Sequence, residues 1–296
     1  MAADGTTTAK IVLEGYSSSR GDAPTTTSRP TIDYGANTFS FDNFMTFKYL
    51  IVTGTSATGF RSDQAAVVVS SKISNTSGSA GRPAFSTQGS GGTANSVVIL
   101  SELISTAGVA YTDSGTNAAG QFLISDYIHD STTGATINTA NRPYISNCIF
   151  DTISGTLLNV NSTGPTITSN TFYGGGSDQG TCLNLQGSTS VVGFNNIFVN
   201  CTTAVTSTAT ADPGFFDWND FFSNTTDRTN VPVGVHDITS DPGFTDAPNG
   251  NFSVGTNMKA AGIPGVFSGG LSTGYTDIGA VQRQETVATT DILGTN

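Results

Sequence analysis

The chain has 296 residues, a formal net charge of −11 and only 11 Lys and Arg, too few for a surface that binds nucleic acid by displacing counterions from phosphates. Charged residues are 11% of the total against a usual ~25%, and Thr, Ser, Gly and Asn supply almost half of the chain. Only 10 Pro and many short β-branched and aromatic clusters argue against disorder, the lack of heptads excludes a long-helix protein, and no apolar run reaches the ~18 residues of a membrane-spanning helix, so no membrane insertion is expected.

In chain order, residues 1–45 are read as the N-terminal cap and first coils of a repeat structure. The opening MAADGTTTAK has no signal-peptide apolar stretch, which suits a mature form or a protein that leaves its cell without that export route, as a virion component does. Arg20-Gly21-Asp22 matches an integrin tripeptide by its letters and reads as a turn with a local Arg–Asp pair. Charge then shifts along the chain: residues 1–82 are nearly neutral and residues 83–296 strongly acidic, so an anionic polysaccharide is repelled by the later part unless a bound cation bridges the two.

Residues 46–222 carry a repeat of one polar residue, any residue, then two apolar ones. It starts at Lys48, Ser71, Ser101, Ser125, Asn147, Asn170, Asn195 and Asn219, with steps of 22 to 30 residues. That step is too short for a helix–helix repeat and lacks the leucine pattern of horseshoe repeats. It predicts an all-β fold: a single-stranded parallel β-helix, a solenoid of roughly 8 or more coils, each needing its neighbours and a terminal cap. Ser101, Ser125, Asn147, Asn170, Asn195 and Asn219 are expected to stack as a hydrogen-bonded ladder at a bend. Leu103, Tyr127, Ile149, Phe172, Ile197 and Phe221 are expected to stack inward as the dry core. Gly89–Thr93 and Gly174–Gly176 read as turns or lateral loops.

Residues 223–283 change character and are read as C-terminal coils and cap, with 284–296 as a tail. Asp212-Pro213-Gly214-Phe215 recurs as Asp241-Pro242-Gly243-Phe244, followed by Asn251-Phe252-Ser253-Val254 and Asp277-Ile278-Gly279-Ala280. In these elements, and in Glu14-Gly15-Tyr16 near the start, the sequence resembles the right-handed parallel β-helix superfamily, the pectate-lyase-like group, over nearly its whole length. The resemblance implies the fold and leaves the activity open, because the scaffold serves lyases, hydrolases, adhesins and viral spikes.

A lyase of that group implies an Arg base beside Ca²⁺ held by stacked acids. Between Arg82 and the cap only Arg142 is available, in the turn segment Asn141-Arg142-Pro143. A hydrolase needs two or three acids on neighbouring coils. The candidates are Glu102 and Asp126, placed by the repeat in one column on successive coils, then Asp130 and Asp151, near one another but one position out of phase. Glu102 with Asp126 is read as an outward solvated pair, as a Ca²⁺ site, or as a catalytic pair. No other cofactor is expected. His129 and His236 lie over four coils apart and offer no shared metal site or dyad. Cys148, Cys182 and Cys201, an odd count without a CxxC, read as buried thiols rather than a disulfide framework or zinc site. Trp218 is either part of the cap core or a platform on which a sugar stacks.

The reading that follows is a structural or adhesive β-helix on an extracellular or virion surface: a phage tail spike, fibre or capsid-surface protein in host attachment, contacting surface polysaccharide. Its partners would be other virion proteins and copies of itself, a trimer by analogy with similar phage scaffolds. An extracellular polysaccharide lyase or glycoside hydrolase, and a cell-surface filament subunit, are the alternatives.

Overall fold

Runs of three to seven residues rich in Val, Ile, Thr and Phe form the strands of a parallel β-helix, seen in a computed structural model. It describes residues 11–282, apart from 20–21, 23, 26–27, 42–43, 57–58, 64, 79–81, 89–95, 114–119, 139–141, 176–178, 187–189, 208–213 and 265–275. The tail 284–296, Arg20, Gly21 and the turn Gly89–Thr93 lie outside the described residues.

Each strand pairs in parallel with the strand three places later in the chain, giving three sheets of nine strands. The first sheet runs from Ile11–Glu14 to Phe215–Asp217, the second from Thr31–Gly35 to Asp220–Phe222, the third from Phe39–Phe41 to Thr226–Thr229. Nine coils result, in agreement with the expected eight or more. The extra coil, residues 11–41, precedes the first copy of the sequence repeat.

Alternate side chains of each strand point into the tube. In the second sheet the inward column is Val52, Ile73, Leu103, Ile128, Phe150, Phe172, Phe198, Phe221. Its last four rings stack with centroids 4.9, 4.9 and 5.0 Å apart, the spacing of the coils themselves. Each buried ring contributes roughly 1.5–3 kcal/mol. The expected column is correct at Leu103, Phe172 and Phe221 and wrong at Tyr127, Ile149 and Ile197, which point outward beside Ile128, Phe150 and Phe198.

The ladder is corrected in the same way. In the eight coils after the first, the bend between the first and second sheets is two residues long. Its first residue is left-handed: Tyr49, Ser70, Leu100, Ser125, Asn147, Ser169, Asn195, Trp218, with φ from 45° to 61°. Its second residue is buried: Leu50, Ser71, Ser101, Asp126, Cys148, Asn170, Asn196, Asn219. Ser101, Asn170 and Asn219 therefore are ladder rungs, whereas Ser125, Asn147 and Asn195 occupy the left-handed site, for which Asn is well suited. The backbone N–H of a rung donates to the side chain of the next: Ser101 to Asp126 Oδ1 (2.9 Å), Cys148 to Asn170 Oδ1 (2.9 Å), Asn170 to Asn196 Oδ1 (3.0 Å) and Asn196 to Asn219 Oδ1 (3.0 Å). The amide nitrogens continue the chain, Asn170 Nδ2 to Asn196 Oδ1 at 3.0 Å and Asn196 Nδ2 to Asn219 Oδ1 at 2.9 Å.

The C-terminal region does two jobs. Residues 226–240 close the tube: Asn219 N donates to Asp237 Oδ1 (2.8 Å), ending the ladder, and Arg228 lies 3.7 Å from the centre of the Phe221 ring, ending the aromatic stack. Arg228 and Asp237 pair at 2.5 Å, so one nearly buried ion pair terminates both columns. Residues 241–264 and 276–282 then lie along the outside of the second sheet as a strap. Val254, Met258 and Ile278 bury Ile197 and Val199 there.

Cys182 and Cys201 form a disulfide between adjacent coils, Cα atoms 5.9 Å apart, which corrects the expectation of three thiols. Cys148 stays a buried free thiol in the ladder.

Asn196→Ala removes the acceptor of the Asn170 N–H and the donor to the Ile167 carbonyl inside the tube. It should lower stability by about 3 kcal/mol. Asn147→Ala, at a left-handed position, should cost about 1 kcal/mol. Urea denaturation measures both, and equal losses would refute the assignment of rungs.

Candidate functional site

Because the second sheet faces the tube with one side and solvent with the other, its outward columns are the natural place for chemistry. One reads Lys72, Glu102, Tyr127, Ile149, Thr171, Ile197, Asp220; its neighbour includes Ser74, Ile104, His129 and Asp151. From Thr171 onward the strap covers this face, with Ala280 N donating to Thr171 Oγ1 (3.0 Å) and Gly279 N to the Asn195 carbonyl (2.8 Å). On the coils before Thr171 the cover thins out, with Gly250 of the strap still beside the Tyr127 hydroxyl, and six polar or aromatic side chains lie together there.

Glu102 is the hub. Its Oε1 accepts from Lys72 Nζ at 2.8 Å and meets His129 Nε2 at 2.9 Å. The other ring nitrogen, Nδ1, lies 2.9 Å from Asp130 Oδ2. The imidazole is thus held between two carboxylates, one at each ring nitrogen. The Tyr127 ring stacks on His129 with centroids 4.1 Å apart and a 20° tilt, and its hydroxyl donates to Asp151 Oδ2 at 2.9 Å. The backbone arranges this: Tyr127 and His129 are two residues apart on one strand, and Asp151 pairs with His129 on the next coil.

Partial burial would raise the Glu102 carboxyl, but the bonds from His129 and Lys72 outweigh it and hold it at about 2. Burial, helped by Asp151, pushes the Tyr127 phenol well above its ordinary range. Each acid on the open face is thus tied to a protein partner, and Glu102 stays anionic at any physiological pH. The cluster is a fixed array of charges around an aromatic pair, suited to holding a ligand rather than to passing protons.

The structure separates the acids that the repeat put together. Glu102 lies opposite Tyr127, while Asp126 turns inward as a ladder rung, its Oδ1 accepting from Ser101 N at 2.9 Å and its Oδ2 from Ile124 N at 3.0 Å. The two carboxylates share no face and offer no joint Ca²⁺ or catalytic site, and among the described residues no group of three or more His, Cys, Asp and Glu is arranged to hold a metal. Asp130 and Asp151 do meet the Glu102 cluster, from either side of the Tyr127–His129 stack. Sequence reasoning missed Lys72, Tyr127 and His129; the available signal was their offset from Glu102, close to one coil in each direction.

Arg142 is an exposed left-handed residue at another bend. Trp218 is half-buried, its ring stacked on His236 with centroids 4.1 Å apart and 9° between planes. Asp217 fixes that stack, its Oδ2 meeting His236 Nδ1 at 2.8 Å and its Oδ1 accepting from Trp218 N at 2.8 Å.

No family model matches the chain, and no curated protein does. Among solved structures, the crystal structure of pectate lyase Pel9A is similar at 9% identity over 80% of this chain and 88% of that one, with a TM-score of 0.39. The assignment of the fold rests on the three parallel sheets themselves.

Asp220, under the strap, adds a testable pH dependence. Burial pushes its carboxyl up to about 8; Oδ1 accepts from Ser240 N at 3.0 Å and Oδ2 has no partner. The native state therefore holds a proton that the unfolded chain releases near its ordinary value of 3.8. Stability from this group is present in acid and lost as pH rises from about 4 to 8, at up to ~1.4 kcal/mol per pH unit. Asp126, raised by its complete burial, acts in the same direction. Asp220→Asn should flatten the fall in urea stability between those limits; an unchanged slope would show that this carboxyl is ionised in the fold.

Proposed function

We propose that this chain is a non-catalytic structural and adhesive β-helix displayed outside the cell, as a virion surface appendage such as a spike, fibre or capsid-surface protein, assembled with copies of itself and contacting host-surface glycan through the open face of its second sheet. The observation that carries this reading is the state of the acids there. Glu102 is held by Lys72 and His129, Asp130 by His129, and Asp151 by the Tyr127 hydroxyl. Such a face presents fixed charges and one aromatic pair without leaving a free base.

Two further features support it. The Cys182–Cys201 disulfide belongs to an oxidising surrounding. The outward column of the third sheet is mostly hydroxyl and amide, with Thr112, Thr136, Asn159, Asn184 and Thr206 in register, a surface chemistry matched to sugars.

The test is a panel of bacterial surface polysaccharides, with binding and product length measured on the same samples. Binding without shortening of the glycan is expected, weakened about tenfold or more by Tyr127→Ala, which equals ~1.4 kcal/mol. Depolymerisation that disappears in Glu102→Ala would replace this reading with a lyase or hydrolase.

A further inference from the structure

The outward column that holds His129 and Asp151 continues past the open face. Phe150 pairs with Phe172, so Tyr173 follows Asp151 on the same side, and Val199 and Phe222 follow Tyr173. Where residues 241–248 of the strap cross this stretch they do not close on it. They leave a cavity of about 340 Å³, at the lower end of the ~300–1,000 Å³ usual for small-molecule sites.

Its walls combine two chemistries. The rings of Tyr173, Phe222 and Phe244 line it, Tyr173 and Phe244 standing edge to face at 6.0 Å, with Pro242 and Pro248 beside them. Asn200, Asp241 and Asp246 supply polar groups to the same space. Among the described residues the Tyr173 hydroxyl and the Asn200 side-chain amide have no hydrogen-bond partner. Asp241 uses only Oδ1, which accepts from Gly243 N at 2.8 Å, and its Oδ2 remains open. Among the described residues no Lys, Arg or His lines the cavity.

We infer that this cavity is a binding site for one neutral pyranose ring. A purely apolar ligand would strip water from Asn200, Asp241 and the Tyr173 hydroxyl without replacing it. An anionic sugar would meet the carboxylates of Asp241 and Asp246 with no cation to offset them. A neutral sugar satisfies both demands: its hydroxyls donate to Asp241 Oδ2 and accept from Asn200 Nδ2 and the Tyr173 hydroxyl, and its carbon face lies on the rings of Phe222 and Phe244. This site goes beyond the display role proposed above and does not depend on it.

The experiment is calorimetric and NMR titration of the intact chain with the methyl glycosides of glucose, galactose, mannose and N-acetylglucosamine, with galacturonate as the anionic comparison. Saturable binding of at least one neutral glycoside is expected, weakened about tenfold in Asn200→Ala and in Asp241→Asn and unchanged in Tyr127→Ala. Asp241 lies on the exposed rim, so its variant keeps the test valid if Asn200→Ala, at a left-handed position, lowers stability. The proposal fails if none of the four glycosides saturates, if galacturonate binds as tightly, or if both pocket variants bind like the parent. Loss of polysaccharide binding in Tyr127→Ala alone would overturn the pocket as a contact for that polymer and leave the open-face reading standing; the converse pattern would do the reverse.

Discussion

A strand that turns a corner in two residues leaves one backbone N–H pointing along the axis of the tube, where no strand can accept it. Water does not reach it, so it must find an acceptor or cost about 1–3 kcal/mol. In this chain the side chain of the corresponding residue one coil further on accepts it. Asn is the most capable rung, because its oxygen takes the N–H and its amide passes a second bond onward, as Asn170 and Asn196 both do. Ser makes the shorter version in the early coils, where Ser71 N donates to Ser101 Oγ at 3.3 Å. Asp237 ends the series as a pure acceptor, and Arg228 neutralises it. Sheet register and the stacked Phe column both follow from these corners being held one above another.

That constraint also explains which parts of the architecture can be read from letters. The coil length, the β-helix and the closing region are all visible in the repeat. The register inside a coil is visible only where the outward neighbour of the core residue is polar. Glu102-Leu103, Thr171-Phe172 and Asp220-Phe221 declare their inward member at once. Tyr127-Ile128, Ile149-Phe150 and Ile197-Phe198 do not, since both members are apolar and a slip of one residue exchanges the faces of the strand. These outward apolar residues have reasons that lie far away in sequence. Ile197 is buried by Met258 and Ile278 of the strap, and Tyr127 stacks on His129. The same ambiguity affected the corner, where Ser125-Asp126 and Asn195-Asn196 each present two polar residues for one rung. The candidate site was correspondingly half legible: Glu102, Asp130 and Asp151 stand out as acids, but the side chains that bind them become neighbours only after the register is right.

Three acids of the second sheet and its entry bend show how much position governs chemistry. Glu102 is half-exposed and cation-bound, and its carboxyl is held low. Asp126 sits inside the tube as a rung between two backbone N–H groups, with burial raising it. Asp220 shares the outward column of Glu102, yet the strap and the closing segment bury it and push it up. Solvent access and available donors, rather than residue type, decide which of these carboxylates can meet a ligand.

The strap is what converts a uniform solenoid into a molecule with distinct ends. A parallel sheet repeats the same outward geometry every coil, so without a covering segment the second sheet would offer one long, undifferentiated face. Residues 241–264 and 276–282 cover its later coils, using Val254, Met258 and Ile278 against Ile197 and Val199 and the rings of Phe244 and Phe252 against Tyr173. The earlier coils, left open, can carry charges that need water around them, and Lys72, Glu102 and Asp130 are found there. The boundary between covered and open coils falls at Tyr127, Asp151 and Tyr173, with Gly250 of the strap placed where an added Cβ would touch the Tyr127 hydroxyl at 3.4 Å. Aromatic rings and unspent polar groups gather at that seam because it is the one stretch of the face that is partly shielded by the strap and partly wet, and such half-shielded edges are where a protein can grip a molecule that is itself apolar on one side and hydroxylated on the other.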